Sequence, residues 1–365
     1  MRCAVRAALV AVITVSAAGP AFSQSSVPTA ELFAASRIQL TGEVDSNSPA
    51  VWDVVGGQSR LFVVTSTGGE PSVATGRRLS QLGTPRHVGF VSHPGNGVWM
   101  EGVVRDDGGT WYGYYHNEIP ATVCGRPDRV LPRIGAARSR DQGQTWEDLG
   151  IVLEAPPGWY ACDTPNRYFV GGVGDVSVAL DHDSQELYFF FSQYSKLPQA
   201  QGVAVARMLW AYRDAPVGRV DVWANGAWQP PSVADDIDGT PTWEYPPGTP
   251  LVPVSRPWHD ADPVDDAFWG ASVHWNEYLQ QYVMLLNRTA DEEFGQQGIY
   301  IAYAPRLDDP SLWSPPKLLL EGGRWYPQVI GVEPNRGTDK DAGSFARFFM
   351  GGLSDYVIQF AKGSP

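Results

Sequence analysis

The sequence is poor in cysteine, poor in basic charge and, beyond its first two dozen residues, without a long apolar run. Each shortage excludes something. Three cysteines with no Cys-x-x-Cys spacing, and six histidines scattered singly, argue against a zinc centre. Lys and Arg number 27 against 40 Asp and Glu, a formal charge of −13. That balance argues against nucleic acid or an anionic membrane surface as a partner and favours a neutral or cationic ligand. No later segment holds about 18 uninterrupted apolar residues, so no membrane-spanning helix is expected. Long helical patterns are scarce as well, which points to strands and turns.

The amino terminus differs in kind. Arg2 and Arg6 precede an apolar run rich in Ala and Val that ends in the small-residue stretch Ala21-Phe22-Ser23, the pattern of a secretory leader cleaved near Ser23. Residues 1–23 are read as that signal peptide and 24–365 as a single domain, secreted or periplasmic. Losing Arg2 and Arg6 takes the formal charge from −13 to −15. Cys3 lies ahead of the apolar run and not at the cleavage point, so no lipid anchor is expected. Cys124 and Cys162 remain as an even pair in an oxidising compartment. One disulfide fits that pair, and the sequence leaves the pairing, like the oligomeric state, open.

What the chain has in quantity is turn formers and aromatics: 39 Gly, 30 Pro, 14 Trp and 15 Tyr. Short strands are predicted over 51–55, 60–67, 111–116, 186–192, 282–287, 298–304, 346–352 and 356–361, each bounded by Gly, Pro, Asp or Asn. Five segments share one plan: a Gly- or Trp-rich approach, an alternating strand, a polar turn and an aromatic strand. Their first strands carry Asp45, Glu101, Asp175, Trp269 and Tyr326. Repetition of this kind predicts an all-β fold, a five-bladed β-propeller, with a β-sandwich as the lesser topology. The long insertions 156–173 and 224–266 are expected to crowd one rim, and residues 37–40 to complete the last blade.

Ser139-Arg140-Asp141-Gln142-Gly143-Gln144-Thr145-Trp146 matches the Asp-box pattern Ser-x-Asp-x-Gly-x-Thr-Trp, known from sialidases and other propellers. Its residue types suit a pinned hairpin turn with a Trp packed between blades, a structural and not a chemical role for Asp141. Residues 304–313 are a weaker relative.

Innermost strands of a propeller meet at one funnel, so Asp45, Glu101 and Asp175 are the candidate catalytic trio. Glycosidic cleavage needs one protonated carboxyl to assist the leaving oxygen and one ionised carboxylate to activate water or attack the sugar. Carboxyls gathered in one buried funnel raise one another's proton affinity, which supplies the acid. Asn47, His116, Trp269 and Tyr326 are the candidate sugar-binding residues, whereas Trp52 and Trp99 are read as interblade packing. Arg105 and Arg324 are candidates to pair with the site carboxylates.

With these residues in place the chain resembles the five-bladed propeller glycoside hydrolases, the superfamily of families 43, 62, 32, 68 and 117. The resemblance implies that Asp45, followed by Ser46-Asn47-Ser48-Pro49, is the general base, and that Asp175 tunes the acid. Glu101 would be the acid by residue type, although in family 43 the acid follows the tuning aspartate in the chain and here it precedes it. Glu244 and the pair Asp265 and Asp266 are the alternatives. The resemblance implies no cofactor; a structural calcium or a water cluster, held near His274 in the central channel, is the one metal it suggests. It also implies an oligo- or polysaccharide substrate, a preference for arabinofuranosyl or related units, and inversion. A non-catalytic carbohydrate-binding propeller is the alternative function. A sialidase-like enzyme ranks last, because no repeat-phased arginine triad occurs.

Overall fold

The computed structural model describes residues 27–40, 44–235, 241–256, 258–259 and 266–363. Residues 1–23, expected to be a leader, and Asp265 lie outside the described residues. Strands 186–194 show why the chain folds as it does. Glu186–Tyr194 is buried almost throughout, and its alternation sends Leu187, Phe189 and Phe191 into one core and Tyr188 and Phe190 into another. A strand that is apolar on both faces must lie between two other sheets.

Five sheets satisfy that demand around a ring. Blade I is Ala50–Val55, Gln58–Thr67, Glu70–Gly76 and Arg86–His87. Blade II is Gly97–Arg105, Trp111–Ala121, Arg126–Ser139 and Thr145–Leu153, with Gly89–Ser92 added parallel at its outer edge. Blade III runs from Val173–Asp181 through Glu186–Tyr194 and Gln201–Leu209 to Asp221–Ala224 and Ala227–Gln229. Blade IV is Phe268–Asn276, Gln281–Thr289, Gln296–Ala304 and Lys317–Glu321, with Asp341–Ala342 against its innermost strand. Blade V is Pro327–Gly331, Phe345–Met350, Leu353–Ala361 and, outermost, the amino-terminal strand Thr29–Gln39. A separate hairpin, Ser232–Asp235 with Pro241–Glu244, leaves the ring within the second insertion.

Each seam between blades holds its own apolar core. Phe62 and Val64 meet Met100 and Trp146 between blades I and II. Tyr114 and Ile134 meet Val178 and Phe189 between II and III. The remaining seams are filled in the same way, ending with Leu61 and Val63 against Ile330 and Phe349 between I and V. The last blade is closed by the first strand: Thr29 to Gln39 pairs antiparallel with Ala361 to Leu353, and Arg37 adds an ion pair to Asp355 at 2.8 Å. The expected closing segment 37–40 is thus the end of a longer strand. The strand expected over 346–352 stops at Met350, because Gly351 and Gly352 form the turn at φ 55° and 73°.

The turn at Ser139–Trp146 joins the two outer strands of blade II. Thr145 donates to Asp141 from its N–H at 2.8 Å and its hydroxyl at 2.6 Å, while Ser139 Oγ donates to Asp141 at 2.9 Å and accepts from Gly143 N–H at 2.9 Å. Gly143 takes φ 78°, and Trp146 is fully buried in the seam with blade I. Asp141 therefore holds a turn, far from the ring's centre. Replacing it, Asp141→Ala, strips three hydrogen bonds and is expected to cost about 1–3 kcal/mol. Thermal unfolding should show that loss, while any turnover or ligand affinity per folded molecule stays unchanged.

Candidate functional site

The innermost strands run in the same sense along the central channel, and at their starts the ladder is interrupted. Register slips between Met100 and Gly102 in blade II, Gly174 and Ser177 in blade III, and Trp269 and Ser272 in blade IV. Such bulges turn a side chain out of the pleat and toward the axis. Two are superimposable in register, so Asp175 matches Gly270, both left-handed at φ 42° and 57°. Tyr326, just ahead of blade V, has φ 57°. Trp269 therefore does not occupy the position of Asp175, contrary to the sequence alignment of repeats. Gly270 does, which is why blade IV contributes no carboxylate there. A Cβ at Gly270 would lie 2.6 Å from Asn287 Nδ2, so a side chain there would have to displace the Asn287 amide.

Asp45, Glu101 and Asp175 line one cavity of about 120 Å³ at this end of the channel. Asp45 is not in a strand but five residues ahead of Ala50–Val55. Its carboxylate accepts from Trp99 Nε1 at 2.9 Å and from Gly68 N–H at 3.2 Å, and burial raises its proton affinity against those two donors. Glu101 and Asp175 are 1% and 3% exposed. Together with His116 they bring one ligating atom each within 4.8 Å of one another.

Two buried carboxyls this close cannot both be ionised. Asp175 receives the hydroxyls of Tyr194 and, at 3.2 Å, Tyr326, two donors that stabilise its anion. Burial pushes both phenols well above their usual range, so they remain donors. Glu101 accepts the N–H of Val176. Burial first, and then the Asp175 charge, holds Glu101 well above the usual carboxylate range. Burial raises Asp175 too, opposed by His116 and the phenols. The shared proton belongs on Glu101.

His116 Nδ1 accepts the N–H of Asp175 at 3.0 Å, and Nε2 lies 3.2 Å from Glu118 Oε1. The first bond requires a lone pair on Nδ1, so it belongs to the neutral form of the ring, with its proton on Nε2 and donated to Glu118. Burial opposes charging the ring, but Glu118, Asp175 and Glu101 outweigh it and push the ring up to about 9. Charging it costs the bond that holds the left-handed backbone of Asp175. Hydrogen bonds already engage His116, both oxygens of Asp175 and one oxygen of Glu101, the three residues that together could hold a metal ion.

Aromatic rings complete the cavity. Trp99, Tyr168, Phe169 and Phe294 join Trp269, Trp325 and Tyr326. Trp99, read from sequence as packing, is thus a site residue. Trp52 instead donates to Gly337 O at 2.9 Å and faces the opposite channel mouth. Asn47 does not line the cavity: it is buried beneath, and its Nδ2 reaches Ala271 O at 3.0 Å and Val176 O at 3.5 Å, the carbonyls of two bulges. Arg105 pairs with Asp53 at 3.1 Å, and Arg324 does not line the cavity, so neither holds the carboxylates. Glu244 lies in the separate hairpin, and Asp266 accepts from Ser255 and Arg256 in a loop, so neither is the acid. His274 turns into a seam against Phe360, 5.6 Å between rings, where burial and Lys340 lower it to about 3.

Glu118, Tyr168, Phe169, Phe294, Trp325 and Tyr194 were not singled out from the sequence. Glu118 had a signal, since it stands two residues after His116 on one strand and so shares its face. The aromatics sit on loops or strand ends with no repeat phase. A larger hollow of about 550 Å³ opens at the other channel mouth, but there Arg105 pairs with Asp53 and Lys340 with Asp339. The smaller cavity holds the clustered carboxyls and is the candidate site.

No family model and no curated protein sequence matches the chain. Among solved structures it is similar to an endo-arabinase from Bacteroides thetaiotaomicron, at 10% identity over 90% of this chain and 98% of that one, TM-score 0.49. The catalytic domain of a Coprinopsis cinerea family 62 α-L-arabinofuranosidase gives 8%, 93%, 98% and 0.44. The family 43 YxiA protein from Bacillus licheniformis gives 14%, 89%, 72% and 0.44.

A carboxyl raised in the folded state contributes stability that is complete below its unfolded pKa of about 4.3 and lost as pH rises through its folded value. Glu101→Gln removes that loss and keeps an acceptor for Val176 N–H. Its melting temperature should fall less than that of the parent toward alkaline pH. Parallel curves would show that Glu101 is not the proton-holding member.

Proposed function

We propose that this protein is a glycoside hydrolase in which Glu101 is the general acid, Asp45 the general base and Asp175 the charge that keeps Glu101 protonated. One observation carries the reading: three carboxyls from three different blades line a single cavity, and the most buried of them is held protonated beside a charged neighbour. A buried carboxyl with raised proton affinity is what leaving-group protonation at neutral pH requires. Asp45, kept in place by Trp99 and Gly68, is oriented to accept a proton from water.

In the reaction the Glu101 proton passes to the glycosidic oxygen as the C1–O bond breaks. A water oxygen bonds to C1 from the other face, and its proton goes to Asp45. Exchange with solvent then restores both groups, and the anomeric centre is inverted. Asp175 keeps its charge throughout and makes no bond to the sugar.

The walls support a sugar as the ligand, because the apolar rings of Trp269 and Trp325 line the cavity beside carboxylate acceptors. Among the described residues no Arg or Lys lines the cavity, while Asp45, Glu101, Glu118 and Asp175 do. Uronic and sialic acids are disfavoured by that charge, and neutral or amino sugars are admitted. The preference for arabinofuranosyl units rests on the sequence resemblance. Export is supported by the leader pattern and by the disulfide Cys124–Cys162, which suits an oxidising compartment.

Asp45→Asn tests the assignment. Turnover on the best substrate of an arabinan, xylan and bacterial arabinogalactan panel should fall by about 10²–10⁴-fold. Calorimetry with a product sugar should show binding retained. Unchanged turnover would remove Asp45 from the chemistry, and a parent protein releasing no sugar from any member would favour the carbohydrate-binding alternative.

A further inference from the structure

The rim around the cavity is uneven, and the unevenness bears on how a polymer can enter. On the side of blades III, IV and V the rings of Tyr168, Phe294 and Trp325 meet in one cluster, with Phe294 and Trp325 6.5 Å apart. Tyr168 lies 5.7 Å from Phe294 and 6.3 Å from Trp325, centroid to centroid. Each ring comes from a different connection: the insertion before blade III, the hairpin of blade IV and the link into blade V.

These connections are stitched together. Asn166 Nδ2 donates to Glu292 O, Arg167 N–H to Glu293 Oε1 at 3.0 Å, and the Arg167 guanidinium also bonds Glu293. Trp325 Nε1 donates to Phe294 O at 3.0 Å. The insertion is tied in turn to blade II by the disulfide Cys124–Cys162, with Cα atoms 5.1 Å apart across 38 residues of chain. Tyr168, 40% exposed, crowns the wall.

On the side of blade I the turn Gly68-Gly69 lies against the start of the innermost strand of blade II, and a Cβ on Gly69 would fall 2.6 Å from Gly97 Cα. Gly68 N–H itself bonds Asp45, so this bare stretch adjoins the carboxylates directly.

We propose that the site takes a single terminal sugar of a chain, seated against the wall of Tyr168, Phe294 and Trp325, with the remaining chain leaving over the glycine turn of blade I. The inference rests on the hydrolase reading above and specifies its mode of action: exo and not endo. A chain bound by an internal unit must leave a site on two sides, and here one side is closed by stitched rings. A cavity of about 120 Å³ also suits one sugar unit and not a run of them.

The test uses the full mature chain on the polysaccharide of the panel that it cleaves, with products sized by chromatography and polymer length followed by viscosity. Monosaccharide alone at early times, with slow loss of viscosity, is expected. Tyr168→Ala and Arg167→Ala, which lower the wall and leave Asp45, Glu101 and Asp175 in place, should release oligosaccharides and speed the viscosity drop. Oligosaccharides from the parent at early times would overturn exo action while leaving the hydrolase reading intact. Wall variants that are folded by circular dichroism, active and still release only monosaccharide would overturn the role of the wall. No product from any polysaccharide would overturn the hydrolase reading itself.

Discussion

Two carboxyl groups held within 4.8 Å of each other, out of water, are the constraint to which the rest of this end of the propeller answers. Such a pair is unstable unless one member keeps a proton and the other has its charge met by donors. The phenols of Tyr194 and Tyr326 supply that for Asp175, from a neighbouring strand of the same blade and from the start of blade V. Val176 N–H and the protonated state supply it for Glu101. The pair thus draws on blades II, III and V at once, and its integrity depends on the ring being closed.

Closure is achieved by apolar seams and by strand exchange at the termini, whereas the site is achieved by local departures from regular pairing. The bulges at Glu101, Asp175 and Gly270 end the ladder where the strands reach the axis, and left-handed residues there cost roughly 1–2 kcal/mol when they are not glycine. Asn47 returns part of that cost by bonding carbonyls that the bulges leave without ladder partners. His116 returns more by accepting the Asp175 N–H, and Glu118 fixes the tautomer that makes this acceptance available. A strained backbone and a site carboxyl coincide at Asp175, as local rule-breaking at a site would lead one to expect.

Much of the ring was legible in the chain because blade strands are short, two-faced and separated by strong turn residues. Glu186–Tyr194 could scarcely be anything else, and the turn at Asp141 announced itself by residue type. The carboxyl trio was legible for a similar reason: Asp45, Glu101 and Asp175 recur at the starts of successive repeats. Trp99 was misread because a propeller Trp usually fills a seam, and only its Nε1 bond to Asp45 separates it from Trp146, which does fill one. Asn47 was misread in the opposite sense, since a polar residue beside a carboxylate looks like a ligand contact until its carbonyl partners are seen.

By itself the sequence determined the strand periodicity, the repeat and the candidacy of Asp45, Glu101 and Asp175, because these follow from residue type at recurring places. Only the tertiary structure decided that Gly270 and not Trp269 matches Asp175, since a one-residue shift within a bulge is invisible in spacing. It alone decided that the acid candidates Glu244 and Asp266 lie off the site and that Cys124 meets Cys162. It alone built the wall of Tyr168, Phe294 and Trp325, whose rings come from three connections far apart in the chain and are brought together only when the ring closes.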